Sequence, residues 1–420
     1  MLSLLVPCAA ASAQLAEPKT VKLHFKTGGQ VGSVYTPAKL LTMGTRFRFG
    51  ESYGKIKVAG TDLIVAGRYV GDGYLLGVDC NGDGRVLGAE WVRLSLITRS
   101  ARFLLRLPEG DGKGKRDYAL RFVDVSVGVQ ANEVVNLSGR VMIDGCMAAV
   151  FDDRDIWLFD DNLDGHYSQD GKDAIAVGNS PGAMPLMKHH QVGRHHYVLD
   201  VSGDGTSVSF QRVDDLKLGR VETLISPSLL GCLMLTDESN GRAYDVKLSG
   251  PAGIPAGTYK LAYGVLGGGR CMVVAGPSPK SLSYTIAENA VNILRFGPPV
   301  QLVFSASLRG RAPNERIVVQ TDITPYGTGG ERYHLDFAGY HAYGENPNVM
   351  FANGQAILTN MHMVYDGGDR LIQIDQWVPA GFSRKTGRIV VTCDLPVLGR
   401  AVGVRKLDDV LEGKKAEVPD

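Results

Sequence analysis

Apolar and polar positions alternate with a period of two along much of this chain. Val21, Leu23 and Phe25 stand against Lys22, His24 and Lys26; Tyr197, Leu199 and Val201 repeat the spacing; and Tyr259, Leu261 and Tyr263 stand against Thr258, Lys260 and Ala262. A strand sends successive side chains to opposite faces, so this pattern predicts half-buried β-strands. Turn chemistry separates the runs at Gly28-Gly29, Gly110-Asp111-Gly112, Ser202-Gly203-Asp204-Gly205, 267–269 and Gly367-Gly368, at intervals suited to antiparallel hairpins. Helical periodicity is confined to 37–43, 90–96 and the charged tail 407–415, each too short to be a crossover helix between parallel strands. The expected fold is all-β: tandem antiparallel β-sandwich domains, immunoglobulin-like or prealbumin-like, with few short helices.

Length and composition sharpen this picture. With 420 residues, 44% of them hydrophobic, the chain has material for more than one core. Its 53 glycines and 19 prolines, about a sixth of the chain, fall short of the roughly 25–30% that marks low-complexity disorder. The 45 basic and 44 acidic side chains leave a formal charge of +1, which argues against bulk nucleic-acid binding. Residues 1–14 begin with an apolar run and end in Ala11-Ser12-Ala13, a small-x-small pattern that fits a signal peptide and predicts export, to a secreted, periplasmic or cell-surface location. The expected division is 1–14 signal peptide, 15–218 β-rich with calcium-type loops, 219–280 a small prealbumin-like module around Pro255-Ala256-Gly257-Thr258-Tyr259, 281–405 a C-terminal sandwich and 406–420 a charged tail. Cys80, Cys146, Cys232, Cys271 and Cys393 are an odd, scattered set, open to bridges or to buried single thiols.

The chemistry is concentrated in acidic loops. From Asp79 to Glu90 the sequence DCNGDGRVLGAE satisfies the calcium-loop pattern D-x-[DN]-x-[DN]-G-x5-E. A hard cation takes six to eight oxygens at roughly 2.3–2.6 Å, so Asp79, Asn81 and Asp83 converge while Gly84 supplies the bend, Arg85 offers its carbonyl and Glu90 returns as a two-oxygen clamp. The glycines at 67, 71, 73 and 77 forbid the entering helix of a paired EF-hand, and Leu87 leaves the ninth position without a side-chain oxygen. Strand, loop and short helix are expected instead. In a second loop Asp160, Asn162 and Asp164 repeat the spacing, with His166 at the seventh position; the twelfth residue is Gly171, so Asp173 closes a lengthened loop, with Asp170 as its rival. A third, Asp200, Ser202 and Asp204, is weaker. For each loop the competing reading is a polar hairpin turn. Affinity in the roughly 10⁻⁴–10⁻³ M range of extracellular modules is expected.

Other motifs carry less. Gly178-Asn179-Ser180-Pro181-Gly182 matches G-x-S-x-G, but Pro181 lacks the N–H that the oxyanion hole requires. His189, His190, His195 and His196 would pair as 190 with 195 and 189 with 196 in a tight hairpin, but adjacent strand residues face opposite ways and Arg194 repels a cation, so exposed hairpin histidines are expected. Met361-His362-Met363 reads as a strand, and Asn136-Leu137-Ser138 is a glycosylation sequon.

The stretch Phe159 to Gly165 continuing through Gly171-Lys172-Asp173-Ala174-Ile175, the strand pair at 197–210, Gly297-Pro298-Pro299 and Gly330-Glu331-Arg332-Tyr333 together resemble segments of large secreted β-rich proteins of environmental bacteria that carry EF-hand-type DxNxDG loops. The resemblance runs in patches from about 150 to 370. It implies an exported β-protein with calcium as cofactor, and brings no activity with it. The function expected is a secreted or cell-surface calcium-binding protein with a structural, adhesion or ligand-binding role, non-enzymatic, whose partners are cell-envelope components or polysaccharide, with no nucleic acid and no membrane span. The alternative is an extracellular hydrolase acting on polysaccharide through a carboxylate pair.

Overall fold

The computed structural model describes residues 17–27, then 45–267 apart from 72, 95–99, 109–113, 131–132, 179 and 181, then 271–274, 283–309 and, in pieces, 316–416. The chain is all-β, as its alternation predicts. A short α-helix, Val246–Ser249, is started by Asp245, whose carboxylate accepts the Lys247 N–H at 3.1 Å. No helix of the described residues is long and apolar enough to cross a membrane. The expected leader at 1–14 and the expected helix at 37–43 lie outside them.

Residues 45–143 form two four-stranded antiparallel sheets. One runs Thr45–Phe49, Glu133–Ile143, Lys115–Gln130, Ala101–Pro108; the other runs Tyr53–Val58, Thr61–Val70, Gly73–Val78, Trp91–Arg93. In Ala101–Pro108 every second residue is buried, the direct outcome of its period-two pattern. Phe103, Leu105, Leu120 and Phe122 of the first sheet share a core with Leu63, Val65, Leu76 and Val78 of the second, which makes a sandwich.

A five-stranded sheet, in the order Met184–Pro185, Ala174–Val177, Arg154–Phe159, Gly145–Phe151, His24–Thr27, forms the middle layer. Cys146, Ala148, Trp157, Phe159, Ala174 and Ala176 join the sandwich core. Their alternates Met147, Phe151, Ile156, Leu158, Ile175 and Val177 join a different core, with Tyr197, Leu199, Phe210 and Met234. Burial on both faces explains why Ile156-Trp157-Leu158-Phe159 is continuously apolar. Truncating such a residue, Leu158→Ala for instance, should cost about 2–5 kcal/mol.

The third layer belongs to a long sheet whose strands run from Lys19–Lys22 to Gly399–Lys406 in the sequence, antiparallel except where His189–Val192 meets Arg242–Asp245 and Gln301–Val303 meets Gly399–Lys406. Gly257–Leu266 follows the turn at Pro255-Ala256 with Tyr259, Leu261 and Tyr263 buried, as its alternation predicts. Two segments singled out by the sequence, Gly297-Pro298-Pro299 and Gly330 to Tyr333, meet at Glu331. This fully buried carboxylate accepts the N–H of Gly297 (2.5 Å) and of Gly329 (2.9 Å) and the Tyr333 hydroxyl (2.7 Å).

One helical expectation needs correction and another is partly met. At 90–96 the chain makes a 3-10 turn, Gly88–Glu90, and then the strand Trp91–Arg93, because Trp91, Val92 and Arg93 pair with Gly77, Leu76 and Leu75 along the sheet edge. The tail at 407–415 lies partly outside the described residues. What is described there is helical at Asp409-Val410, as expected, and then closes in a turn, with Gly413 N–H donating to Val410 (3.1 Å) and Lys414 N–H to Asp409 (2.8 Å).

Candidate metal-binding loops

Both leading loops are connections between neighbouring antiparallel strands. The first joins Gly73–Val78 to Trp91–Arg93, with Gly77 opposite Trp91. The second joins Arg154–Phe159 to Ala174–Val177, with Phe159 opposite Ala174, so the next step of that register sets Asp160 across from Asp173. Hairpin pairing thus brings the ends of each acidic stretch together.

Within the first loop, Asp79 is fully buried. Its Oδ1 accepts from the N–H groups of Gly82 (2.8 Å) and Asp83 (3.1 Å), and its Oδ2 from Gly84 (2.8 Å). Asn81 Oδ1 accepts from Asp83 N–H (2.8 Å) and Asp83 Oδ1 from Arg85 N–H (2.9 Å). Gly82 and Gly84, at φ of 73° and 82°, take the left-handed bends that let these oxygens turn inward. Glu90 folds back over the loop, its Oε1 accepting from Cys80 N–H and its Oε2 from Leu87 N–H, both at 2.8 Å. Burial, then Glu90 and Asp79, push the Cys80 thiol up to about 12.

The second loop repeats this network with different closure. Asp160 Oδ1 accepts from Asp164 N–H (3.0 Å) and Oδ2 from Gly165 N–H (2.8 Å); Asn162 Oδ1 accepts from Asp164 N–H (3.0 Å) and Asp164 Oδ1 from His166 N–H (2.9 Å). Asp160 also accepts the buried Tyr118 hydroxyl (2.9 Å), from the opposite layer. Asp160, Asp161 and Asp173 are all fully buried. Asp173 Oδ2 accepts from Gln169 N–H (2.7 Å), while its Oδ1 is buried with no hydrogen-bond partner among the described residues. Asp170, the rival for closure, is exposed. Burial raises Asp173 to about 7, with the charges of Asp160, Asp164 and Asp161 adding to it against the Gln169 N–H. Burial likewise raises Asp160 to about 6, against the Gly165 N–H and the Tyr118 hydroxyl.

Among the described residues no three His, Cys, Asp or Glu side chains form a ready-made metal centre. The donor sets of the two loops are mixed, with an Asn carboxamide and the backbone carbonyl of Arg85 or His166 beside the carboxylates. That all-oxygen chemistry suits a hard cation.

The third loop is a tight hairpin turn. Ser202 and Thr206 hydroxyls donate to Asp204 Oδ1 (2.6 and 2.9 Å), Ser202 N–H bonds Ser207 O (3.0 Å), and Asp200 sits exposed on the strand before it. The histidine hairpin departs from its expected pairing. Its turn is the two residues Gly193-Arg194, so Val192 opposes His195 and His190 opposes Tyr197. Nor are these histidines all exposed: His190 is fully buried, accepting Met187 N–H at Nε2 (2.9 Å), and His196 is buried against Tyr244. Burial lowers both, to about 3 and about 4. Ser180 is buried and its hydroxyl donates to Asp245 (3.1 Å). Cys80, Cys146 and Cys232 are free thiols. The side chains of Met361, His362 and Met363 lie outside the described residues.

Sequence reasoning missed the residues that reach the second loop from elsewhere. Tyr118 is one; Arg116, whose Nη1 donates to Gly165 O (2.7 Å), and Ala59, whose N–H donates to Leu163 O (2.8 Å), are others. No local pattern announces them, because each lies at least 40 residues away in sequence. An open groove of about 890 Å³ beside the first loop is lined by Tyr53, Arg68, Arg85, Leu87 and Trp91, with the Arg68 guanidinium 5.7 Å above the Trp91 ring. Comparison with protein-family models, with curated proteins and with solved structures finds no match to this chain.

Proposed function

We propose that this chain is a secreted or cell-surface protein whose stacked β-sheets are braced by calcium, serving a structural, adhesion or ligand-binding role. The observation that carries the reading is the duplicated network. In two unrelated hairpins the first aspartate of a D-x-N-x-D-G stretch accepts the N–H groups of the fifth and sixth positions, and the third and fifth side chains accept those two residues further on. A polar turn needs one such bond; the repeated set fixes the backbone around the alternate side chains whose oxygens a six- to eight-coordinate cation would take. A cation bound only by the folded chain stabilises it by mass action, about 2.7 kcal/mol at a hundredfold excess over Kd.

The alternative, a polysaccharide hydrolase, calls for two carboxylates roughly 5–10 Å apart in a groove. The lining of the Trp91 groove described above contributes arginines and aromatic rings and no Asp or Glu, so it supports sugar or anion contact more than hydrolysis. The test is calcium titration calorimetry of the full chain, with thermal melts in calcium and in chelator. A melting temperature indifferent to chelator rules the reading out, and turnover of a polysaccharide in a substrate screen moves it to the hydrolase.

A further inference from the structure

The second loop is bonded outward as well as inward. Leu163 and Gly165, at φ of 63° and 94°, turn their carbonyls away from the loop centre, where they accept Ala59 N–H and Arg116 Nη1 from the 45–143 sandwich. Tyr118 of the same sandwich bonds Asp160, and Tyr167 N–H bonds Gly203 O (3.0 Å) on the far side. The loop therefore sits in the joint between layers.

Two of its carboxylates, Asp160 and Asp173, are fully buried. None of the ion pairs among the described residues involves Asp160 or Asp173. A carboxylate withdrawn from water without a counter-charge costs several kcal/mol, yet Asp173 Oδ1 is buried without a partner across the hairpin neck from Asp160. Where positive charge belongs lies a neutral group: the Gln169 carboxamide, donating to Asp164 Oδ2 (2.6 Å) and accepting from Asn162 (3.2 Å).

We propose that the second loop holds one calcium-class divalent cation in a fourteen-residue frame, 160–173, closed by Asp173 in place of a twelfth-position glutamate, and that filling it docks the sandwich onto the central sheet. The ligands are Asp160, Asn162, Asp164, the His166 carbonyl and Asp173, with Gln169 displaced. The cation fixes the backbone from 160 to 166, and with it the two carbonyls and the carboxylate that the sandwich grips. This rests on the calcium reading above and adds to it the closing residue and a consequence for how the layers hold together.

The experiment combines calcium chloride titration calorimetry with hydrogen exchange on the full chain, as wild type, Asp173→Asn, Glu90→Gln and Tyr118→Phe. Two sites are expected in the wild type and one in each of Asp173→Asn and Glu90→Gln. Exchange at 57–63 should slow at least tenfold on adding calcium to the wild type and to Glu90→Gln, and stay unchanged in Asp173→Asn. Tyr118→Phe should keep both sites and lose most of that protection. Two sites surviving in Asp173→Asn, or exchange at 57–63 indifferent to calcium in the wild type, overturns the proposal; the second result needs no variant to fold. A single wild-type site abolished by Glu90→Gln also overturns it and leaves the calcium reading standing, whereas no binding at all removes both.

Discussion

The first and second acidic loops share a spelling, a hairpin setting and a set of backbone bonds, and they differ in how they end. Glu90 closes the first at the twelfth position, half-exposed, with both oxygens taken by N–H groups of its own loop. Asp173 closes the second at the fourteenth, fully buried, with one oxygen unanswered. Asn81, Asp83 and Arg85 of the first loop face solvent; the second is gripped by Ala59, Arg116 and Tyr118. The same turn chemistry leaves both closing oxygens bonded at a rim and one unbonded in a joint, where desolvation makes a missing partner costly.

That contrast sets the scale of several outcomes. Asp160→Ala should have the largest effect, about 3–5 kcal/mol of stability in calcium, since it removes a proposed ligand and strands the Tyr118 hydroxyl and the Gly165 N–H; chemical denaturation with and without chelator measures it. Next is a buried carboxylate outside both loops. Asp245 accepts from Leu233 and Lys247 N–H groups and from Ser180, and burial raises it to about 6. An acid raised from 3.8 to about 6 on folding binds its proton more tightly when folded, so stability is lost as pH climbs from about 4 to 6, by about 3 kcal/mol. Asp245→Asn should flatten that slope while leaving the calcium response intact; a changed calcium response would mean that the loops are not the sole acidic sites at work.

Smaller effects test the register. Asp164→Ala should weaken calcium binding about tenfold, whereas Asp161→Ala, between the ligand positions, should cost stability and leave affinity unchanged; equal loss of affinity in calorimetry would show the ligand spacing to be wrong. Glu90→Gln should cost about 1–2 kcal/mol in urea denaturation, the difference between two charge-assisted bonds and one neutral bond. Asp204→Ala should change the melting temperature least, within about 0.5 kcal/mol, with no calcium dependence, because its partners are Ser202 and Thr206 of an exposed turn.

The strands were legible because alternation survives wherever one face meets solvent, as in Ala101–Pro108. In the middle layer it vanishes, and Ile156 to Phe159 reads as a strand only from its short, continuously apolar run. The bonding of the acidic loops follows their local spacing, and the strand register sets Asp173 at the neck opposite Asp160. The histidine register was not, because it hangs on whether the turn holds two residues or four. Residues 90–96 have the spacing of a helix, yet an available sheet edge beside Gly77 decided otherwise. Tyr118 and the Glu331 clasp are contacts across long separations, which no window along the chain contains.

The N-terminal strands carry one more consequence. Lys19–Lys22 pairs with Ser207–Val213, Lys19 opposite Phe210, and His24–Thr27 pairs with Gly145–Phe151. The first of these partners emerges about 190 residues after the strand that needs it, which at 5–20 residues per second is a wait of about 10–40 s. During that interval the strand carrying Val21 has nothing to zip to, so a chaperone that shields nascent segments would act first at this end of the polypeptide.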